Sequence, residues 1–265
     1  MKIAVIGSGN IGSAFVRGLL REGSISPDNI FMTDISSEAL APFAEKGINT
    51  MQNNVEAVKN AELILFCVKP YLISNVIEEI LPALSKDTVL VSLAAGIDFT
   101  QLYCYISFSS QPLFRAIPNT AMSVCQSMTC IAASAHATES QRDTVINLFS
   151  RVGKVLLINE SLIDAATVLA SCGTAFALRY LRAATNAGTE TGFRPDVAQE
   201  LITQTMLGAA VLIAESGNNP EAEIDRVTTP GGITIKGLNE MEHAGFSSAV
   251  MKGILAAYEK IKKKP

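Results

Sequence analysis

Tryptophan is absent from this chain of 265 residues, aromatic residues make up only 6% of it, and there are just two histidines, His136 and His243. Lysine is missing between Lys154 and Lys236. A hydroxyacid dehydrogenase with a helical second domain uses a Lys or His there to move the hydroxyl proton. This chain offers no such group over that span, which excludes that chemistry. An excess of one charge is lacking too: the net charge is −4, so no nucleic-acid surface is expected. The basic run of Lys260, Lys262, Lys263 and Lys264 reads as a short solvated tail. No unbroken apolar stretch approaches the ~20 residues of a membrane span, and glycines interrupt the first apolar run, so neither a span nor a signal peptide is expected. The five cysteines (Cys67, Cys104, Cys125, Cys130, Cys172) are scattered and odd in number. Without C-x-x-C or metal-ligand spacing they read as reduced thiols of a cytoplasmic protein, and no metal site is expected. Cys172 stands apart, among small residues at a helix start.

What is present begins at the N-terminus. The run Ile3–Ile6 reads as a buried strand, Gly7-Ser8-Gly9-Asn10-Ile11-Gly12 follows at once, and helical spacing carries on from Ser13 to Leu20. This is G-x-G-x-x-G in a strand–turn–helix setting. Gly7 permits the tight turn, Gly9 lets the backbone approach a pyrophosphate, and Gly12 lets helix pack on strand. The competing reading is a doubly wound domain that binds no nucleotide. Beyond it, strands are predicted at 29–34, 62–68, 88–93, 113–117, 128–132 and 154–158, with helices over 36–46, 72–84 and 139–151. Alternating β and α elements imply a mainly parallel sheet covered on both faces.

Past Asn159 the character changes to Ala, Leu, Glu and Gln without a convincing strand. Helices are predicted over 162–186, 195–215, 221–227, 235–243 and 247–263, with Pro195 and Pro220 at helix starts. The fold class is therefore an α/β Rossmann-type N-terminal domain, residues 1–158, followed by an all-α C-terminal domain, residues 159–265. The long apolar helices cannot bury every face in so small a bundle, which points to a helical oligomer interface.

Two smaller features bear on ligands. Asp34 closes the second strand, 22 residues beyond Gly12. An acid there bonds a ribose 2′-hydroxyl and repels a 2′-phosphate, although Ser36 and Ser37 could serve a phosphate, and a turn or helix-capping acid is the alternative. The segment Val227-Thr-Thr-Pro-Gly-Gly-Ile-Thr-Ile235 combines hydroxyls, a proline and paired glycines before a helix predicted over 236–243. Such a turn can aim backbone N–H groups at a small anion, while an ordinary helix–helix connection is the plainer reading. Reduction of an imine fits these materials. A cyclic imine can already be protonated when it arrives, so the protein need only orient it, hydrogen-bond its nitrogen and hold its carboxylate.

Gly7–Gly12, Asn54-Val-Glu, Cys67-Val-Lys-Pro70, Ile117-Pro-Asn-Thr120, Leu207-Gly-Ala-Ala210 and Thr228-Thr-Pro-Gly-Gly-Ile-Thr-Ile235 occur in order. Together they resemble the Δ1-pyrroline-5-carboxylate reductases, which make L-proline with NADPH or NADH. The resemblance implies that Ile6 to Ile11 hold the pyrophosphate, that Asn54 contacts the adenosine half, and that Cys67, Val68, Lys69 and Pro70 line the cofactor cleft. It implies that Thr234 hydrogen-bonds the imine nitrogen, while Thr229, Gly231, Gly232 and Ile233 grip the carboxylate. It also implies an intertwined homodimer, sometimes assembled as pentamers of dimers. The chain departs from the family pattern at Ala121, at Cys125-Gln-Ser127 and at Ala170-Ser-Cys-Gly-Thr174, which bears on substrate choice and rate. Reduction of another cyclic imine and a non-catalytic dinucleotide-sensing oligomer are the alternatives.

Overall fold

The computed structural model describes residues 1–106 and 110–263; Lys264 of the basic tail lies outside them. The chain divides into two compact units, Met1–Cys172 together with the chain from Tyr258, and Gly173–Ala257.

In the first unit eight strands form one sheet: β1 (Ile3–Ile6), β2 (Ile30–Thr33), β3 (Asn49–Met51), β4 (Leu63–Phe66), β5 (Val89–Ser92), β6 (Leu113–Ile117), β7 (Ser127–Ala133) and β8 (Gly153–Leu157). Their order is β3-β2-β1-β4-β5-β6-β7-β8. The first six run parallel; β7 turns back against β6, and β8 runs parallel to β7. Strands buried on both faces need apolar residues at every position, and Ile-Ala-Val-Ile in β1 and Leu-Ile-Leu-Phe in β4 are buried throughout. On one face Ile3 and Val5 meet Phe15, Leu19 and Phe149. On the other, Ala4, Ile6, Ile64 and Phe66 meet Ile73, Ile77 and Ile80.

Helix α1 (Asn10–Glu22) buries Phe15, Val16 and Leu19 on the sheet and ends at left-handed Gly23, whose N–H donates to the Leu19 carbonyl. The helices α2 (Ser37–Ala44), α4 (Ile73–Ile80) and α6 (Glu139–Ser150) fall inside their predicted ranges. Three elements are additional. β3 is short, polar and at the sheet edge, held by pairing with β2 and by the Asn49 amide donating to the Asp28 carbonyl at 2.9 Å. Its Asn-Thr-Met sequence carries no apolar alternation. α3 (Asn54–Val58) is a single turn capped by Asn53. α5 (Phe99–Tyr105) is rich in residues of low helix propensity and is started by a capping box between Asp98 and Gln101.

The predicted helix over 162–186 is not one regular helix. It begins as α7 (Ile163–Ala166), widens into a π-helical segment over Thr167–Cys172, and resumes as α8 (Gly173–Glu190). Its first part belongs with the sheet because Arg115, only 3% exposed in β6, holds Glu160 at 3.1 Å and Asp164 at 3.8 Å. Replacing Arg115 by Leu leaves two half-buried carboxylates without their cation. The expected loss is about 2 kcal/mol, below the roughly 3–5 of a fully buried broken pair because both carboxylates keep some water. Thermal denaturation of the variant checks it.

The second unit contains α8, α9 (Pro195–Ser216), α10 (Pro220–Val227), α11 (Ile233–His243) and most of α12 (Phe246–Lys262). Pro195 and Pro220 open α9 and α10 as expected, and Asn219 caps α10. Ala198 is the buried residue of α9, whereas Leu201, Leu207 and Leu212 stand at least half exposed. One expectation needs correction. Two helical stretches, Glu160–Glu190 and Pro195–Ser216, are long and apolar enough by length and composition to cross a membrane, with mean hydropathies of 1.5 and 1.4. Interspersed Thr, Ser and Gln break the continuous apolar run while the Ala, Leu, Val and Ile around them keep the average high, so a search for unbroken runs passes over them.

Candidate active site

At the C-terminal edge of the parallel strands lies a cleft of about 590 Å³. It is lined by Ile6, Gly7, Gly9, Asn10, Ile11, Asp34, Asn54, Cys67, Val68, Lys69 and Pro70, so one cavity gathers most of the residues expected to hold a cofactor. Open parallel sheets bind ligands at this edge, where the glycine turn enters a helix. The turn is built as the motif requires. Gly7 takes φ +104°, and a side chain on Gly12 would start 2.0 Å from the Gly7 carbonyl oxygen. Gly9, by contrast, has no atom of the described residues within 4 Å of where a Cβ would be. It also opens α1 without a side-chain cap or a first-turn acid. Free N–H groups and open space at the start of a 13-residue helix form a seat for a pyrophosphate.

Ser8, Gly12 and Ser36 do not line the cleft but support it. The Asp34 carboxylate accepts from the Ser8 N–H at 2.7 Å and the Ser8 hydroxyl at 2.8 Å on one oxygen, and from the Ser36 N–H at 3.1 Å on the other. Asp34 therefore ties the glycine turn to the end of β2. Burial works to raise its pKa, but the N–H groups of Ser36, Ser8 and Ile35 and the Ser8 hydroxyl outweigh it, and the carboxyl stays below its ordinary value. Ser36 caps α2 by accepting from the Ala39 N–H. Asn54 accepts from the Thr33 hydroxyl at 2.6 Å and donates to Glu79 at 2.8 Å. Cys67 lies at the cleft floor among apolar groups, and burial pushes its thiol up to about 12, which keeps it a neutral wall residue.

Several cleft residues escape sequence reasoning. Gln52, which donates to the Ile35 carbonyl at 2.7 Å, follows the unrecognised strand β3. Leu93, Ala94 and Ala95 follow β5, and there the rule that ligands gather at strand ends would have found them.

The other candidate segment lies in the second unit. Helix α11 starts at Ile233, not at Lys236 as predicted, because left-handed Gly231 turns the chain and Gly232 takes the extended N-cap position. The Gly232 N–H donates to the Thr229 carbonyl at 2.9 Å, and a Cβ on Gly232 would overlap the Thr229 hydroxyl. Thr234 thus sits in the first helical turn, beside N–H groups that no side chain caps. Ile233 is 90% exposed, and among the described residues the Thr234 hydroxyl makes no hydrogen bond within the chain. Hydroxyl, uncapped N–H groups and an apolar side chain together can grip a small carboxylate and hydrogen-bond a neighbouring atom.

Residues 160–264 match the family profile described as pyrroline-5-carboxylate reductase dimerisation, and residues 2–96 match that described as NADP oxidoreductase coenzyme F420-dependent. Pyrroline-5-carboxylate reductase 2 of Dictyostelium discoideum is 36% identical over 98% of this chain and 92% of its own length. Reductase 1 of the same organism is 35% identical over 97% of this chain, which spans 49% of that longer protein. The crystal structure of Plasmodium falciparum pyrroline carboxylate reductase with NADP bound superimposes with a TM-score of 0.91, at 26% identity, over 99% of this chain and 97% of that one. With its glycine turn, its Thr-Thr-Pro-Gly-Gly segment and both halves matched end to end, the chain belongs to the pyrroline-5-carboxylate reductase family.

Proposed function

We propose that this protein reduces Δ1-pyrroline-5-carboxylate to L-proline with NADPH or NADH. The observation that carries the reading is that one chain holds both a dinucleotide seat at Gly7–Gly12 and, in its helical unit, an uncapped helix start at Gly232–Thr234, with no lysine in that unit before Lys236. The open space at Gly9 and the uncapped start of α1 fit a pyrophosphate. When bound, the reduced nicotinamide supplies a hydride. Ile6 to Ile11 hold the phosphates, and Cys67–Pro70 with Leu93–Ala95 wall the cleft against water. Thr229, Gly231, Gly232 and Ile233 hold the substrate carboxylate through first-turn N–H groups. The Thr234 hydroxyl oxygen accepts a hydrogen bond from the N–H of the protonated imine, which fixes the ring face that the iminium carbon presents to the hydride. The C=N π bond becomes an N lone pair as the new C–H bond forms, and the proton already on nitrogen stays there, so no protein acid is needed.

Residues 1–158 serve as the cofactor domain and residues 159–265 as the substrate and dimerisation domain of this reading. The exposed leucines of α9 are covered in a homodimer, and assembly into a decamer belongs to the same proposal. Five free thiols agree with a reducing, cytoplasmic setting. NADH serves at least as well as NADPH, because Asp34 keeps its charge at the end of β2. Asp34→Ser should raise the ratio of kcat/KM for NADPH over NADH on the order of tenfold, since one like charge facing a 2′-phosphate is removed. An unchanged ratio would leave Asp34 as a turn brace only.

The direct test is to mix the purified protein with pyrroline-5-carboxylate and follow oxidation of NADH and NADPH in parallel, identifying the product. Proline formation supports the reading. No turnover by a protein that still binds a cofactor moves it to another cyclic imine or to a dinucleotide sensor.

A further inference from the structure

Asn119 lies two residues beyond β6 and is only 8% exposed. Its carboxamide is used from both ends. The oxygen accepts from the Ala121 N–H at 3.0 Å and so starts the tight turn Thr120–Val124. The nitrogen donates to the Ala170 carbonyl at 2.9 Å, inside the π-helical segment Thr167–Cys172. Its backbone N–H donates to the Ser127 hydroxyl at 3.1 Å, which fixes the residue against β7.

A π turn is rare in a helix and persists where tertiary contacts hold it, often beside a functional site. Here residues of and just past one strand hold both the chain ahead of the segment and a carbonyl inside it. Arg115 of β6 ties down Glu160 and Asp164 below it, and Asn119, past the end of the same strand, satisfies a carbonyl within it. Thr167 adds its own bond back to the Ile163 carbonyl at 2.8 Å. β6 lies parallel to β5, whose end continues into Leu93–Ala95 of the cofactor cleft. The Asn119–Ala170 brace therefore stands one strand over from the cleft, on the same edge of the sheet. An apolar residue at 119 with a regular α-helix would satisfy packing at lower risk, because a buried carboxamide is costly unless both ends are paired.

We propose that Asn119 is a positioning residue for hydride transfer: its amide nitrogen holds the Thr167–Cys172 segment in its wide turn against the end of β6, and so sets the end of the strand that neighbours β5 and its Leu93–Ala95 extension. The inference rests on the imine-reductase reading above. Its two bonds can be separated by chemistry. Asp at this position keeps the acceptor for the Ala121 N–H, being an equally good cap, but brings a second acceptor to the Ala170 carbonyl. Asn119→Ala loses both bonds.

The experiment compares wild type, Asn119→Asp and Asn119→Ala for kcat and KM with pyrroline-5-carboxylate, cofactor affinity, melting temperature, and the deuterium isotope effect on kcat with cofactor labelled at the transferring carbon. Both variants should lose kcat by about a hundredfold, the scale of a displacement near 1 Å. In Asn119→Asp the cofactor affinity and fold should be kept while the isotope effect on kcat rises, because hydride transfer has become the slow step. Wild-type kcat in Asn119→Asp would overturn the proposal and leave only the cap. Loss of cofactor binding or of the fold in that variant would also overturn it, assigning the residue to stability. A wild type that does not reduce the imine fails the underlying reading, and the positioning role with it.

Discussion

Thr234→Ala should lower kcat for pyrroline-5-carboxylate reduction by about a hundredfold or more, while the affinity for NADH or NADPH stays at the wild-type value. The magnitude is that of one hydrogen-bonding group lost from a reacting centre, where a displacement near 1 Å from the hydride donor costs about a hundredfold. The selectivity follows from placement. Thr234 stands in the first turn of α11, whereas the dinucleotide seat is formed by the β1–α1 turn and the ends of β2, β4 and β5. The hydroxyl is exposed and not engaged within the chain, so its removal should not cost stability either. Thr234→Ser keeps the hydroxyl and should recover most of the rate. Steady-state kinetics with cofactor titration separate the cases, and unchanged turnover in Thr234→Ala would remove the hydroxyl from the mechanism.

Gly12→Val and Gly9→Ala should fail in opposite ways, although both alter one six-residue motif. A side chain at Gly12 would begin 2.0 Å from the Gly7 carbonyl oxygen and 3.2 Å from the Cβ of Cys67. The Gly7 carbonyl is backbone and cannot rotate out of the way, so α1 must move off β1 and β4. The expected cost is about 3 kcal/mol, a drop of roughly 6 to 12 °C in melting temperature for a chain of this size, and cofactor binding goes with it. At Gly9 the Cβ meets open space, so Gly9→Ala should melt like the wild type. Its methyl group instead occupies the room a pyrophosphate needs, and the cofactor Kd should rise by about tenfold or more. Melting curves and cofactor titrations on the two variants check this. Equal cofactor binding by Gly9→Ala and wild type would contradict the assignment of that space to a ligand.

Legibility in the sequence followed the strength of the local signals. The glycine turn, the buried strands β1, β4 and β5, and the proline-led helices α9 and α10 announce themselves by apolar runs and by residues with fixed backbone demands. The edge strand β3 does not, because its stability comes from pairing with β2 and not from its own Asn-Thr-Met sequence. The π-helical widening before α8 is likewise invisible to periodicity: it depends on Asn119, 51 residues away from Ala170. Periodicity starts α11 two or three residues late because Ile233-Thr-Ile235, β-branched throughout, reads as extended chain until Gly231 and Gly232 fix the turn ahead of it. In the cofactor cleft, the cofactor residues named by motif line the cavity or brace it, whereas Gln52, Glu79 and Leu93–Ala95 come together only through the strand order.

The central claim is that this chain delivers a hydride to the carbon of a cyclic imine that carries a carboxylate. The most direct test supplies NADH or NADPH bearing deuterium at the transferring position, with unlabelled pyrroline-5-carboxylate, and locates the label in the product by mass spectrometry and NMR. One deuterium at C5 of L-proline, the former imine carbon, is the expected result. Cofactor oxidation without deuterium in proline, or no reaction by protein that binds the cofactor, would contradict the account.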